Sequence, residues 1–101
     1  MPTSDDTLQQ YELFRTLGHP VRIRVLELLE SRPMVVRDLL AEIEVESSSL
    51  SQQLAVLRRA GLVTSTRRGG SVEYSLATDR VAELLQAGRA VLRTLPEPTV
   101  A

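Results

Sequence analysis

The strongest constraint on the fold is a pair of short apolar patterns whose helices are joined by a predicted turn of only three residues. Both have helical spacing and predict a third and a fourth helix: Val35 or Val36, Leu39, Leu40 and Ile43, then Leu50, Leu54 and Leu57. Glu44–Glu46 is the predicted turn between them. Ser47–Ser49 begins the fourth helix, because serine hydroxyls accept hydrogen bonds from the free N–H groups of a first turn. This arrangement matches a helix-turn-helix.

Two further helices are predicted before this pair. The first begins near Asp5–Thr7, which offer an N-cap and first-turn negative charge, and it ends at Gly18. The second runs from Pro20, which suits a first helical turn, to Glu30, and its density of apolar residues indicates a mostly buried helix. The apolar residues of the first helix recur every three positions: Leu8, Tyr11, Phe14 and Leu17.

A β-hairpin is predicted after the fourth helix, which ends at Gly61. Leu62–Arg68 and Ser71–Leu76 are rich in Val, Thr, Ser and Tyr, and they flank Gly69-Gly70, a pair that suits a two-residue type I′ turn. The predicted fold is therefore mainly α with a small β-hairpin, in the order α-α-α-α-β-β-α of a winged helix-turn-helix.

The last helix carries an apolar stripe that is longer than a core of this size can cover. It begins at Asp79 and spans 17 residues, ~25 Å, before Pro96 and Pro98 end it. We therefore expect a homodimer built on this helix, with the first helix completing the interface. The predicted interface residues are Leu8, Tyr11 and Phe14, then Val81, Leu84, Leu85, Gly88, Val91, Leu92 and Leu95.

Length and composition limit the function classes. At 101 residues the chain allows one domain, residues 1–95, followed by a short flexible tail, residues 96–101. With no Cys and one His, disulfides, thiolate metal sites and a histidine cluster within one chain are excluded. No apolar run is long enough to span a membrane and the N-terminus lacks the order of a signal peptide, so we expect a cytoplasmic protein without a membrane partner.

Charge is distributed unevenly although the net charge is only −1. All twelve basic residues are arginines, the side chain best suited to phosphate and guanine contacts. Between Glu46 and Glu73 there is no acidic residue, so one segment of an acidic chain is locally positive. That segment contains Arg58, Arg59, Arg67 and Arg68.

These features together predict DNA binding. Ser48, Ser51 and Gln52 lie on the side of the fourth helix away from its leucines, where short polar side chains allow the backbone to approach base edges. The arginine pair at the hairpin tip can lie along a phosphate backbone or in a minor groove. A protein-binding winged-helix module remains an alternative. A small enzyme is excluded, because Ser47–Ser51 has no histidine within motif reach and Gly69-Gly70 lacks a P-loop lysine.

Three segments resemble the ArsR-type winged helix-turn-helix repressors: LGHPVRIRVL at residues 17–26, SSLSQQL at 48–54 and VLRRAGLV at 56–63. The resemblance covers about Leu8 to Leu95 and implies a dimeric repressor whose first and last helices form the dimer interface. It places the family's DNA-contacting residues on Ser47, Ser48, Ser51 and Gln52, with wing arginines Arg67 and Arg68, and we include Arg58 as a further DNA-binding candidate.

The chain departs from the metal-sensing members of that family. Their Cys-x-Cys pair before an Asp-Leu corresponds here to Val35 and Arg37, and the ligand positions of their last helix correspond to Val81, Leu92 and Leu95. The resemblance therefore implies no metal site, no cofactor and no transition-metal inducer. The single histidine, His19, is expected to cap the second helix, and the remaining carboxylates are expected to face away from DNA or to pair with Arg37 and neighbouring arginines: Asp38, Glu42, Glu44 and Glu46.

Overall fold

The computed structural model describes residues 4–98, and in that range it has five helices and three strands. Their bounds are α1 Asp5–Leu17, α2 Pro20–Leu29, β1 Met34–Val35, α3 Val36–Glu42, α4 Ser47–Arg59, β2 Val63–Arg68, β3 Ser71–Leu76 and α5 Asp79–Thr94. This confirms the winged helix-turn-helix predicted from the sequence. The predicted tail is described only to Pro98, and residues 1–3 and 99–101 lie outside the described residues.

The predicted hairpin is confirmed as strands β2 and β3, and a third strand that the sequence did not predict, β1, extends it to a three-stranded sheet. Its strand order is β1-β3-β2, with both pairs antiparallel, and Met34 and Val35 pair with Tyr74 and Glu73. Two residues are too few to show the alternation that identifies a strand, so Val35 was assigned to the start of the third helix. Because β1 continues directly into α3, the sheet is joined to the helix-turn-helix through the chain itself.

In two helices, α1 and α4, the N-cap residue differs from the one that the sequence predicts. Ser4, and not Asp5–Thr7, caps α1, since its Oγ accepts a hydrogen bond from Thr7 N at 3.1 Å. The predicted serine cap of α4 is also wrong: the N-cap is Glu46, with no side-chain capping bond, and Ser47 is already helical. His19 caps α2 as expected, with its Nδ1 accepting from Val21 N at 3.2 Å.

Two glycines set the end of α4 and the wing tip. Gly61 has a φ of 78°, and the bonds from Gly61 N to Arg58 O and from Leu62 N to Leu57 O, both 3.0 Å, form a Schellman motif. At the wing tip only Gly69 of the Gly69-Gly70 pair has a positive φ, 61°. A positive φ at the first central residue alone belongs to a type II′ turn, so the type I′ prediction is wrong.

The hydrophobic core lies between α2, α3, α4 and the sheet. Leucines of these helices are fully enclosed: Leu26, Leu39, Leu50, Leu54 and Leu57. Burying a leucine of this kind stabilises the fold by about 1.5–3 kcal/mol. Val81 of α5 belongs to the same cluster. The core therefore fixes one face of α4 and leaves the opposite face exposed. None of the helices in the described part of the chain is long and apolar enough to cross a membrane.

Candidate nucleic-acid interface

The exposed face of α4 carries the polar residues that the sequence assigned to DNA. Ser47, Ser48, Ser51 and Gln52 are all exposed, while Leu50 and Leu54 on the other side are buried. Because Glu46 is the N-cap, the hydroxyls of Ser47 and Ser48 are not used for capping. The first two turns of α4 therefore present short polar groups at which a duplex can approach the helix backbone.

Gln53 differs from its neighbour Gln52, which is exposed. Gln53 is partly buried, and its Oε1 accepts a hydrogen bond from Nε of Arg22 at 2.8 Å. Nη1 of the same arginine donates to the backbone oxygen of Thr16 at 3.1 Å. Sequence reasoning missed Arg22, since an arginine in an apolar helix gives no sign of a partner thirty-one residues away.

The two wing arginines lie on opposite faces of the sheet. Directly opposed residues of an antiparallel pair share a face and faces alternate along a strand, so Arg67 lies on the same face as Ser65 and Tyr74. That face packs toward the helices, because Arg58 Nη1 of α4 donates a long hydrogen bond, 3.5 Å, to Ser65 Oγ. Arg68 lies on the outer face, where its Nε is 3.2 Å from Oε1 of Glu73. Sequence reasoning treated the two arginines alike, although neighbouring residues of a strand lie on opposite faces.

A polar notch separates α4 from the wing. It has a volume of about 350 Å³ and is lined by Ser51, Ala55, Arg58, Arg59 and Tyr74. Arg58 was among the residues assigned to DNA, whereas Arg59 and Tyr74 were not. Tyr74 was missed because a tyrosine is common in strands whether or not its hydroxyl binds a ligand, and its side chain also packs against the core.

The carboxylates of α3 and the following turn do not form the ion pairs that were considered for them. Within residues 4–98, Asp38, Glu42, Glu44 and Glu46 form no salt bridge with Arg37 or with any other arginine. Asp38 is partly buried in the first turn of α3, where a negative charge favours a helix N-terminus. In the same range, no group of three or more potential metal ligands lies together.

Helices α1 and α5 expose apolar side chains to solvent. A groove of about 450 Å³ runs between α1, α2 and α5, with Phe14, Ile23, Leu84, Leu85 and Leu92 among its lining residues. Six apolar side chains of α1 and of the α5 end are more than half exposed: Leu8, Tyr11, Phe14, Val91, Leu92 and Leu95. Val81 does not belong to this surface, because it is only 6% exposed and packs in the core of its own chain.

A bidentate ion pair lies beside this groove. Nη1 and Nη2 of Arg89 on α5 are 3.2 and 3.0 Å from the carboxylate oxygens of Glu30, and Glu27 is 3.6 Å away. The hydrogen bonds to Glu30 raise the pKa of the Arg89 guanidinium above its ordinary value. The pair ties α5 to α2, and so holds the apolar surface at a fixed angle to the helix-turn-helix.

Comparison with known proteins identifies the family. The family model described as bacterial regulatory protein, arsR family, matches residues 19–65, which include α2, α3 and α4. Over 91 residues the chain is 50% identical to the HTH-type transcriptional regulator Rv0081 of Mycobacterium tuberculosis, covering 89% of this chain and 80% of that protein. The chain belongs to the ArsR family. Its function class is accordingly transcriptional regulation, which is not enzymatic.

Two solved structures agree with the fold, and a further relative agrees with the class. The crystal structure of Rv0081 superposes with a TM-score of 0.83, at 48% identity, and covers 89% of this chain and 91% of that one. The biofilm growth-associated repressor of Agrobacterium fabrum is 39% identical over 75 residues, which are 74% of this chain and 64% of that protein. The homodimeric winged helix-turn-helix domain of Mb0332 from Mycobacterium bovis has the same fold, with a TM-score of 0.79 at 24% identity over 89% of this chain and 87% of that one.

Proposed function

We propose that this ArsR-family chain is a homodimeric, cytoplasmic repressor that binds an imperfect inverted repeat in double-stranded DNA. The proposal is carried by one observation in two parts. The polar face of α4 is exposed, and Arg67 lies on the face of the wing that packs toward α4. No acidic residue occurs between Glu46 and Glu73, so the segment that contains α4 and the wing tip bears no negative charge to repel a duplex.

In this proposal α4 enters the major groove and supplies the base contacts. Gln52 is the main candidate, because its amide can both donate and accept at an adenine, and it is exposed without a partner among the described residues. Ser47, Ser48 and Ser51 contact bases or phosphates from the leading turns. Arg58 and Arg67 contact the phosphate backbone, which positions the helix but does not select a sequence.

Dimerisation is proposed through the apolar surface of α1 and α5. An exposed apolar surface of this extent on so small a domain is typical of a protein interface. Gly88 lies in the groove and has no atom within 4 Å of the position its Cβ would take, which leaves space for a second helix to approach. The proposed contacts are Leu8, Tyr11, Phe14, Leu84, Leu85, Val91, Leu92 and Leu95.

Two-fold symmetry then determines the form of the DNA site. Two copies of α4 related by the symmetry axis enter successive major grooves on one side of the duplex, about 34 Å apart. The site is therefore an inverted repeat, with its half-sites one helical turn apart.

The decisive experiment is selection of DNA from a random pool, followed by a salt titration of binding to the selected duplex. We expect an inverted repeat to be recovered, and log affinity to fall linearly with log salt because phosphate contacts release counterions. A winged-helix module that binds protein instead would yield no enriched sequence and no such slope, and this result would reject the proposal.

A further inference from the structure

The notch between α4 and the wing, lined by Ser51, Ala55, Arg58, Arg59 and Tyr74, has the chemistry of an anion site. Two guanidiniums, one phenol and one hydroxyl are available in it as hydrogen-bond donors, and no carboxylate lines it. Arginine is the side chain whose planar donors best match the oxygens of a phosphate. A tetrahedral monoanion fits these donors better than a cation or an apolar group does.

The arginines of the notch are not neutralised by the protein. Neither Arg58 nor Arg59 forms an ion pair within residues 4–98, and Arg58 reaches only the neutral Oγ of Ser65, at 3.5 Å. By contrast, five arginines in that range pair with glutamates: Arg15, Arg24, Arg68, Arg80 and Arg89. Positive charge is therefore left uncompensated at the notch, next to the helix proposed to contact DNA.

Tyr74 gives the notch a rigid wall. Its ring packs against the core, and its backbone is paired on both sides, with Met34 of β1 and with Ser65 of β2. Tyr74 lines the notch, and its hydroxyl makes no hydrogen bond to any described residue. A hydroxyl on a fixed ring loses little conformational freedom when it binds a ligand, so it is well placed to donate to an anion.

We propose that this notch binds one phosphodiester of the DNA backbone, held by Arg58, Arg59 and Tyr74 at the junction of α4 and the wing. The inference rests on the proposed DNA binding and adds two residues to it, Arg59 and Tyr74. The bound phosphate fixes how far α4 enters the groove, because Ser51 lies both on the wall of the notch and on the face of α4 that meets the bases.

The test measures affinity for the selected duplex as a function of salt for Arg59→Gln, Tyr74→Phe and the control Arg32→Gln. Arg32 is an exposed arginine that lines a different cleft, with Asp79 and Ala82. We expect Arg59→Gln to lower the salt slope by about 1, and Tyr74→Phe to weaken binding by about tenfold with the slope unchanged. The control is expected to leave both unchanged. Circular dichroism and thermal unfolding show whether each variant retains the fold.

A second measurement locates the phosphate. Replacing single phosphates of the duplex by neutral methylphosphonates is expected to weaken wild-type binding at one position in each half-site, and to weaken Arg59→Gln much less at that position. The notch is not a phosphate site if wild type binds the duplex with a salt slope, Arg59→Gln keeps the full slope and Tyr74→Phe keeps full affinity. In that case the proposed function still stands. If wild type selects no DNA, both proposals fail.

Discussion

Nε of Arg22 on α2 donates a hydrogen bond to Oε1 of Gln53 on α4 at 2.8 Å. The same guanidinium donates through Nη1 to the backbone oxygen of Thr16 near the end of α1. One partly buried side chain therefore joins three helices, and it orients α4 from the side opposite to its DNA face. Gln52 and Gln53 are adjacent in sequence, yet Gln52 is exposed and available to a ligand, whereas Gln53 holds α4 against α2.

Arg22→Leu is expected to destabilise the fold by about 1–3 kcal/mol, because it leaves the Gln53 amide and the Thr16 carbonyl without their partner in a partly buried place. The measurement is urea unfolding followed by circular dichroism. The control is Arg24→Leu on the same helix, whose exposed ion pair with Glu27 at 3.7 Å contributes less than about 1 kcal/mol. Equal losses for the two variants would contradict a specific role for Arg22.

Gln52→Ala is expected to weaken binding to the selected site by ~1–3 kcal/mol and to relax preference at one base position. The reason is loss of a bidentate contact to a base from Gln52, which is exposed on α4 and forms no side-chain hydrogen bond with any described residue. Binding to a series of single-base site variants measures the effect. A base preference that is identical to that of wild type across the whole series would assign Gln52 to another role.

Arg67→Ala is expected to reduce the salt slope by about 1 on any sequence, since this arginine lies on the face of the wing that turns toward α4. Arg68→Ala is expected to reduce it less, because Glu73 already partly neutralises Arg68 at 3.2 Å. Glu73→Gln serves as the converse variant and is expected to increase affinity for non-specific DNA. Equal slopes for the two arginine variants would show that the Arg68–Glu73 pair opens on binding.

Leu92→Glu is expected to produce monomers with much weaker DNA binding. Leu92 is 69% exposed on α5 in the single chain, and a glutamate there would place an unpaired charge in the proposed dimer interface. Sedimentation velocity at micromolar concentration gives the oligomeric state, with Leu92→Met as the control that keeps the apolar surface. Wild-type protein that sediments as a monomer would disprove the interface.

Zinc, nickel and copper at micromolar concentration are expected not to release the protein from DNA. The positions at which metal-sensing relatives carry ligands are occupied here by side chains that do not bind these ions: Val35, Arg37, Val81, Leu92 and Leu95. Fluorescence anisotropy of the labelled duplex, with and without each metal, measures this directly. Release at stoichiometric metal would indicate a ligand set of another kind.

Helix spacing and turn chemistry account for most of the fold that the sequence predicted. Leu50, Leu54 and Leu57 repeat along one side of α4 and all three are buried, and Gly61 adopts the positive φ that its place after the helix required. Both features are determined by residues close together in the chain. Local sequence is therefore enough to place them.

The features that were missed depend on residues far apart in the chain. Met34 and Val35 form a strand only because Tyr74 and Glu73 supply the partner backbone. Likewise, Tyr74 lines the notch only because β3 pairs with β2, the strand that packs against α4. No local pattern encodes such pairings. A strand of two residues is too short to show periodicity, and a tyrosine fits a strand pattern equally well whether or not its hydroxyl binds a ligand.

The short strand β1 has a consequence for the spacing of DNA sites. Because β1 pairs with Glu73 and Tyr74 of β3 and continues into α3 without a loop, the base of the wing is tied directly to the helix-turn-helix. In the proposed complex, each protomer would therefore meet its half-site with the base of the wing and the helix-turn-helix as one unit. One inserted base pair rotates the second half-site by roughly 34° about the duplex axis. In the proposed dimer, this rotation requires either that the two protomers rotate relative to each other or that the DNA twists. The contacts within each half-site stay the same.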